Sequence, residues 1–332
     1  MVAALAGVSR STVSRVVNAS PRVTPGAISA VTAAIETLGY VPNQAARSLA
    51  SRKTYTIAVI IPENTAKFFS DPYFASVIHG VATHLGNTEY TLTLLIASEA
   101  HPEKTRRYLQ GGSVDGALIL SHHADDSSYL QLSSTLPVVF GGRPMSNTRP
   151  ADAGPVPRNH IVDVDNVAAS TTATRYLLEH GRRRIATIAG PQNMAAGFDR
   201  LVGWRAAIAE TAQNPDLVAF GDFTPPGGES AMRELLARGE SFDGIFIASS
   251  QMAFGALRVL REHGISVPGD VAITTVDNDY FAQNSTPPLT CIEQPVAELG
   301  VEIAQTLVRL INGESVAELS VMPTRLIERE SV

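Results

Sequence analysis

A single cysteine, Cys291, stands in the 332 residues, so no intramolecular disulfide can form and neither a zinc cluster nor a cysteine redox pair can be built. That usage suits a reducing cytoplasm. Long apolar runs are also missing: no stretch approaches the ~20 residues that cross a bilayer, and Met1–Val8 is too short, and lacks the basic lead, of a secretion signal. A cytoplasmic protein with no membrane partner is therefore expected. Enzyme signatures are scarce too. No G-x-G-x-x-G follows the first apolar strand pattern, and neither G-x-x-x-x-G-K-[ST] nor G-x-S-x-G occurs, which weighs against nucleotide-dependent and serine-nucleophile catalysis.

What is present is unevenly distributed. Residues 1–53 carry Arg10, Arg15, Arg22, Arg47, Arg52 and Lys53 against Glu36 alone, a net charge of +5 that leaves −11 on the rest of a chain whose total is −6. A compact basic segment on an acidic body points to nucleic acid, because phosphate neutralisation is local while the body's charge maintains solubility.

The basic segment reads as three short helices. Ala3-Leu5-Ala6 begins one that Gly7 ends by taking a positive φ. Ser9 can cap the next, in which Val13, Val16 and Val17 form a core face and Arg10, Ser11, Ser14 and Arg15 the opposite one. That short, polar, basic face has the proportions of a recognition helix entering the major groove. Thr24-Pro25 opens the third helix, with Ile28, Val31, Ile35 and Leu38 as its buried stripe and Gly39 as its stop.

From Thr54 onward, short apolar runs alternate with amphipathic stretches. Strands are expected at Thr56–Ile61, Thr91–Ile96, Gly116–Leu120 and Val138–Phe140, then at Ile161–Val164, Ile185–Ala189, Leu217–Phe220, Ile245–Ala248 and Val271–Val276. Helices fall between them, the later ones at Ala168–His180, Leu201–Thr211, Glu229–Arg238 and Met252–His263. The alternation predicts parallel sheets covered on both faces, and the Gly/Pro-rich stretch Gly141–Pro157 suggests two lobes with a ligand cleft between them. His122-His123 beside Asp125-Asp126, and His160 near Asp163 and Asp165, read as solvated loop residues rather than metal ligands. No metal and no cofactor are expected.

The strings Ala6-Gly7-Val8-Ser9, Thr12-Val13-Ser14-Arg15-Val16-Val17-Asn18 and Gly39-Tyr40-Val41-Pro42-Asn43 closely resemble the headpiece and hinge of the LacI/GalR repressor family. The resemblance continues through Val162-Asp163-Val164-Asp165-Asn166, Asp199-Arg200-Leu201-Val202-Gly203-Trp204, Pro287-Pro288-Leu289-Thr290 and Pro323-Thr324-Arg325-Leu326. It implies an α/β protein: a small all-α helix-turn-helix headpiece, 1–41, a hinge, 42–53, and a two-lobed periplasmic-binding-protein-like domain, 54–332, with two parallel Rossmann-like sheets. Lobe 1 would comprise about 54–160 and 295–322, and lobe 2 about 161–294 and 323–332. The family's first helix starts several residues earlier than this chain does, so the headpiece is expected to be truncated at its N-terminus.

By the same resemblance, Arg10, Ser11 and Arg15 take base-reading positions. Ser9, Thr12, Asn18, Arg22, Thr24 and Asn43 lie near phosphates, and Leu49, with Ala46 beside it, is the minor-groove wedge of a hinge helix. Arg200 and Asp277 take positions that grip ligand polar groups and Phe223 an aromatic position lining the pocket. An internal Arg200–Asp277 salt bridge is the alternative. Ser249-Ser250-Gln251-Met252 stands where many relatives carry Asn-Asp before Gln-Met, so hydroxyls replace an amide and a carboxylate, and Ser249 is a candidate contact. Tyr73 and Phe74 are either first-lobe contacts or core residues, and Trp204 is expected in the core. The implied function is a transcriptional regulator, not an enzyme. It would bind near-palindromic operator DNA as a homodimer or tetramer and respond to a small, sugar-like effector. A transporter's solute-binding protein would share the two-lobed body but needs a signal peptide and no helix-turn-helix.

Overall fold

The computed structural model describes residues 1–17, 20, 22–40, 53–96, 102–124, 129–145, 159–211 and 215–332. Asn18, Asn43, Ala46 and Leu49, the hinge around them, and Asp125-Asp126 lie outside the described residues. The chain separates into two compact units, Met1–Tyr55 and Thr56–Val332.

In the first unit, α1 (Val2–Leu5), α2 (Arg10–Val17) and α3 (Pro25–Leu38) surround a small core of Val2, Val31 and Ala34, against which Ala6, Val8, Val13, Val16 and Ile35 pack. Gly7 and Gly39 both hold positive φ, at 65° and 54°, where a side chain would be strained. The Ser9 hydroxyl accepts from the Thr12 N–H at 3.1 Å and so caps α2. The expected stripe on α3 needs correction. Ile28 and Leu38 are exposed at its two ends, because α1 and α2 are too short to cover more than its middle, and Val17 lies outside the core.

Among its described residues the second unit holds two six-stranded sheets. The strands are β1 (Thr56–Ile61), β2 (Thr91–Ile96), β3 (Gly116–Leu120), β4 (Val138–Gly141), β5 (His160–Val164), β6 (Ile185–Ala189), β7 (Val218–Phe220), β8 (Gly244–Ile247), β9 (Ala272–Val276), β10 (Thr290–Glu293), β11 (Leu319–Met322) and β12 (Arg325–Ile327). One sheet runs β11-β5-β4-β3-β1-β2, all parallel; the other runs β12-β10-β9-β8-β6-β7, parallel except for the β10–β12 pair. In β1 the run Ile57–Ile61 is buried at every position, as a parallel strand covered on both faces must be.

One lobe boundary differs from expectation. Ile161–Val164 had the look of the second lobe's first strand, yet it pairs with β4 and β11 in the first sheet. Val138–Gly141 and His160–Val164 are thus neighbours in one sheet, and the chain changes lobe only after Val164, entering α7 (Asn166–Glu179). The chain returns to the first lobe in α12 (Val296–Ile311), which follows α4 (Thr65–Ser70), α5 (Pro72–Leu85), α6 (Pro102–Gln110), α8 (Ala195–Ala209), α9 (Pro225–Ala237), α10 (Ser250–Glu262) and α11 (Tyr280–Asn284) in the helix order. Leu299, Ile303 and Leu307 of α12 join Phe74, Val77 and Val81 of α5 in the first-lobe core. Their crossing is close enough to need glycine on each side: a Cβ at Gly80 would lie 1.9 Å from the Ala297 carbonyl oxygen, and one at Gly300 2.2 Å from that of Val77. The second lobe packs around Trp204, fully buried as expected. Among the described residues no helix is long and apolar enough to cross a membrane.

Candidate functional site

Three segments pass between the lobes, after β5, before α12 and between β11 and β12, and the first two bring Asp163, Asn166 and Gln294 to the edge of a cleft. Strand ends supply most of the remaining walls, as parallel sheets with covered faces require. The cavity measures about 110 Å³, room for on the order of ten waters and so for a small polar metabolite.

Backbone strain concentrates here. Ser121, Phe223 and Asp277 have φ of 60°, 68° and 81°, a region that side chains avoid, and each follows the carboxyl end of a strand and lines the cleft. The Phe223 ring lies over Gly190, where a Cβ would meet it at 2.3 Å, so glycine is required for the ring to reach the cleft wall.

Arg200, on α8, is 5% exposed. Its Nε donates to Asn166 Oδ1 at 2.9 Å and one terminal nitrogen to the Ala248 carbonyl at 2.7 Å, with the guanidinium carbon 5.7 Å from the Phe223 ring centroid. These bonds fix the fork across the crossover and leave its other terminal nitrogen for a ligand. Asp277 accepts from Gln294 Nε2 through one oxygen, at 2.5 Å, leaving the other. No ion pair within 4.0 Å joins Arg200 and Asp277, so the alternative of an internal salt bridge does not hold. Burial pushes the Asp277 carboxyl up, against the opposing pull of Arg200 and Gln294.

Of the other candidates, Tyr73 lines the cleft with its hydroxyl making no protein hydrogen bond. Phe74 contributes to the cleft wall and is also core, 2% exposed. Ser249 lines the cleft but accepts from the Met252 N–H at 3.3 Å, capping α10. Several lining residues were missed by sequence reasoning: Lys67, Asp71, Arg143, Asp163, Asn166, Gln251 and Gln294. Asp71-Pro72 signalled a helix start, and Asp71 does accept from the Tyr73 N–H at 2.9 Å as the cap of α5, but no local pattern shows that this cap faces the second lobe. His122 and His123 are not solvated as expected. His122 is buried edge-on against Phe140, and His123 lies 2.9 Å from the buried Glu63. His160 contacts the Ala317 carbonyl through Nδ1.

Asp71 and Asp279 are each pushed up to about 6, chiefly by burial and further by Asp277. A carboxyl raised above its unfolded value of 3.8 adds stability below that value and loses it as pH rises through about 6. Glu63 behaves oppositely. His123, Lys67 and Ser121 overcome its burial and hold it down to about 2, so its contribution is lost only in strong acid. Thermal unfolding of the unliganded protein should therefore show a higher Tm at about pH 5 than at about pH 7.5. Asp71→Asn, which retains the cap acceptor, should shrink that difference, and an undiminished difference would remove Asp71 from the account.

In the head, Arg10, Ser11 and Arg15 are exposed together on α2, away from Val13 and Val16. Arg22 and Thr24 are exposed between α2 and α3, and Ser9 and Thr12 meet in the α2 cap. A helix-turn-helix head and a two-lobed body with a polar cleft at its strand ends define a bacterial transcriptional regulator rather than an enzyme. Residues 2–43 match the family model of bacterial regulatory proteins, lacI family, and residues 174–332 that of the periplasmic binding protein-like domain. The chain is 44% identical to the HTH-type transcriptional regulator CelR of Thermobifida fusca, across 100% of this chain and 97% of that protein. It is 32% identical to GalR of Escherichia coli K12, across 100% and 94%. The chain belongs to the LacI family. A solved complex of CelR with cellobiose superposes with a TM-score of 0.78 at 43% identity, covering 100% of this chain and 98% of that one. The lac repressor dimer bound to operator and an anti-inducer gives 0.84 at 24% identity, covering 99% and 97%, a likeness of fold.

Proposed function

We propose that this regulator is cytoplasmic, binds operator DNA as a homodimer through Ser9, Arg10, Ser11, Thr12, Arg15, Arg22 and Thr24, and takes a sugar, cellobiose or a close relative, into the cleft. Asn18, Asn43, Ala46 and Leu49 would complete the DNA contacts. In this reading residues 1–41 are the headpiece, 42–53 a hinge that orders on DNA, and 54–332 the effector domain. The observation that carries it is the cleft itself. Arg200 and Asp277 each keep a free hydrogen-bonding atom, one a donor and one an acceptor, beside the Phe223 ring. Vicinal hydroxyls suit that pair and a sugar's C–H face suits the ring. The likeness to a protein solved with cellobiose over the whole chain supports the same class of ligand.

DNA from beside the protein's own gene provides the test. Labelled fragments should be bound far more tightly than random DNA, with affinity falling steeply as salt rises, and cellobiose should change that affinity. Equal binding to both DNAs at every salt concentration would refute the operator reading. An affinity indifferent to every sugar in a panel of mono- and disaccharides would refute the effector reading.

A further inference from the structure

We propose that the cleft selects an uncharged carbohydrate and excludes its phosphorylated or acidic derivatives. The inference rests on the sugar reading above and sharpens it, since a two-lobed cleft with a buried arginine could equally serve a sugar phosphate. The distribution of committed charge decides between them.

Among the described residues three cations line the cleft, and each already bonds to a group of the protein. Lys67 Nζ lies 2.8 Å from Glu63 Oε1, an acid that also accepts from Ser121 and His123. Arg143 lies 2.7 Å from Asp199 Oδ1 across the lobes. Arg200 spends Nε on Asn166 and one terminal nitrogen on the Ala248 carbonyl, and it sits in the field of Asp163 and Asp277. The carboxylates are differently placed. Asp71, Asp163 and Asp277 all line the cleft, with Asp279 close enough to raise Asp71 further. Asp71 and Asp277 each accept only one protein hydrogen bond, through Oδ1, so their second oxygens await a donor.

A sugar hydroxyl donates; a phosphate at neutral pH carries about −1.5 to −2 charges and only accepts. Against the acids it would find the free Arg200 nitrogen, the remaining N–H groups of the already paired Lys67 and Arg143, and, among neutral donors, the Ser249 and Tyr73 hydroxyls and the Gln251 amide. That amide is without a protein partner although Gln251 is only 5% exposed. One feature favours an anion: the N-terminus of α8, at Ala195 and Ala196, faces the cleft. A helix end is worth about half a positive charge, too little against three lining carboxylates. The raised carboxyls of Asp71, Asp163 and Asp277 reflect the same dry, acid-rich surroundings, which a further negative charge would make worse.

Calorimetry on the full chain tests this with cellobiose and cellobiose monophosphate, or with whichever neutral sugar of the panel binds and its monophosphate. The neutral sugar should bind at least about 100-fold more tightly. The gap should narrow by about tenfold in Asp71→Asn, which removes a charge while keeping the side chain's shape. Equal or tighter binding of the monophosphate overturns the proposal while leaving the sugar reading intact. A gap indifferent to Asp71→Asn overturns it as well, since the exclusion would then be one of shape. If no neutral sugar binds at all, the sugar reading falls and the proposal with it.

Discussion

Replacing Asp277 by asparagine is expected to leave operator binding in place while cutting effector affinity by roughly 10- to 150-fold, the value of about 1.5–3 kcal/mol for a hydrogen bond to a charged group. The geometry makes the substitution discriminating. Gln294 donates to one Asp277 oxygen, and an asparagine oxygen can keep that bond, so the amide nitrogen would replace the oxygen that is left for ligand. An acceptor aimed into the cleft thus becomes a donor, beside an Arg200 that also donates. The main chain need not move: the residue sits at a φ of 81°, which asparagine tolerates at least as well as aspartate. Calorimetry with the effector and anisotropy with operator DNA measure the two halves separately. Unaltered effector binding by Asp277→Asn would place recognition elsewhere, with Gln251 and Tyr73 the next residues to examine.

The second large effect belongs to the head. Arg15 projects from the face of α2 opposite Val13 and Val16, exposed, with no ion pair to any acid among the described residues. A bidentate base contact is worth ~1–3 kcal/mol, and a dimer makes it twice, so Arg15→Ala should weaken specific binding by roughly 30-fold or more. Binding to random DNA should fall far less, since only one phosphate-attracting charge per head is lost. A variant whose preference for operator over random DNA is unchanged would remove Arg15 from base readout.

Much of this architecture could be read from the chain, for identifiable reasons. Strands such as Thr56–Ile61 and Ile185–Ala189 are bounded by polar or turn residues and have one structural use, so pattern alone located them. Pattern could not say that His160–Val164 joins the first sheet, because every buried parallel strand looks alike and pairing is decided across the whole lobe. The three- and four-residue strands Thr290–Glu293, Leu319–Met322 and Arg325–Ile327 are too short to carry a period. In the site, Arg200, Asp277 and Phe223 came from family resemblance and do meet in one cleft. Asp71, Asn166 and Gln251 were hidden because each satisfies an ordinary local description, a helix cap or a helical polar residue, until the opposite lobe is folded against it. The histidine pair shows the converse error: a loop next to aspartates reads as solvated, yet Glu63, some sixty residues earlier, draws His123 into the interior.

The central claim is that occupancy of the cleft and grip on the operator are coupled. If effector changes operator affinity by some factor, saturating operator must change effector affinity by the same factor. Measuring cellobiose binding to the free protein and to its operator complex, together with operator binding with and without saturating cellobiose, therefore closes a thermodynamic cycle. The account predicts one shared factor, on the order of 5- to 150-fold. Cellobiose that binds the free protein and the operator complex with equal affinity would contradict it, however tight that binding is.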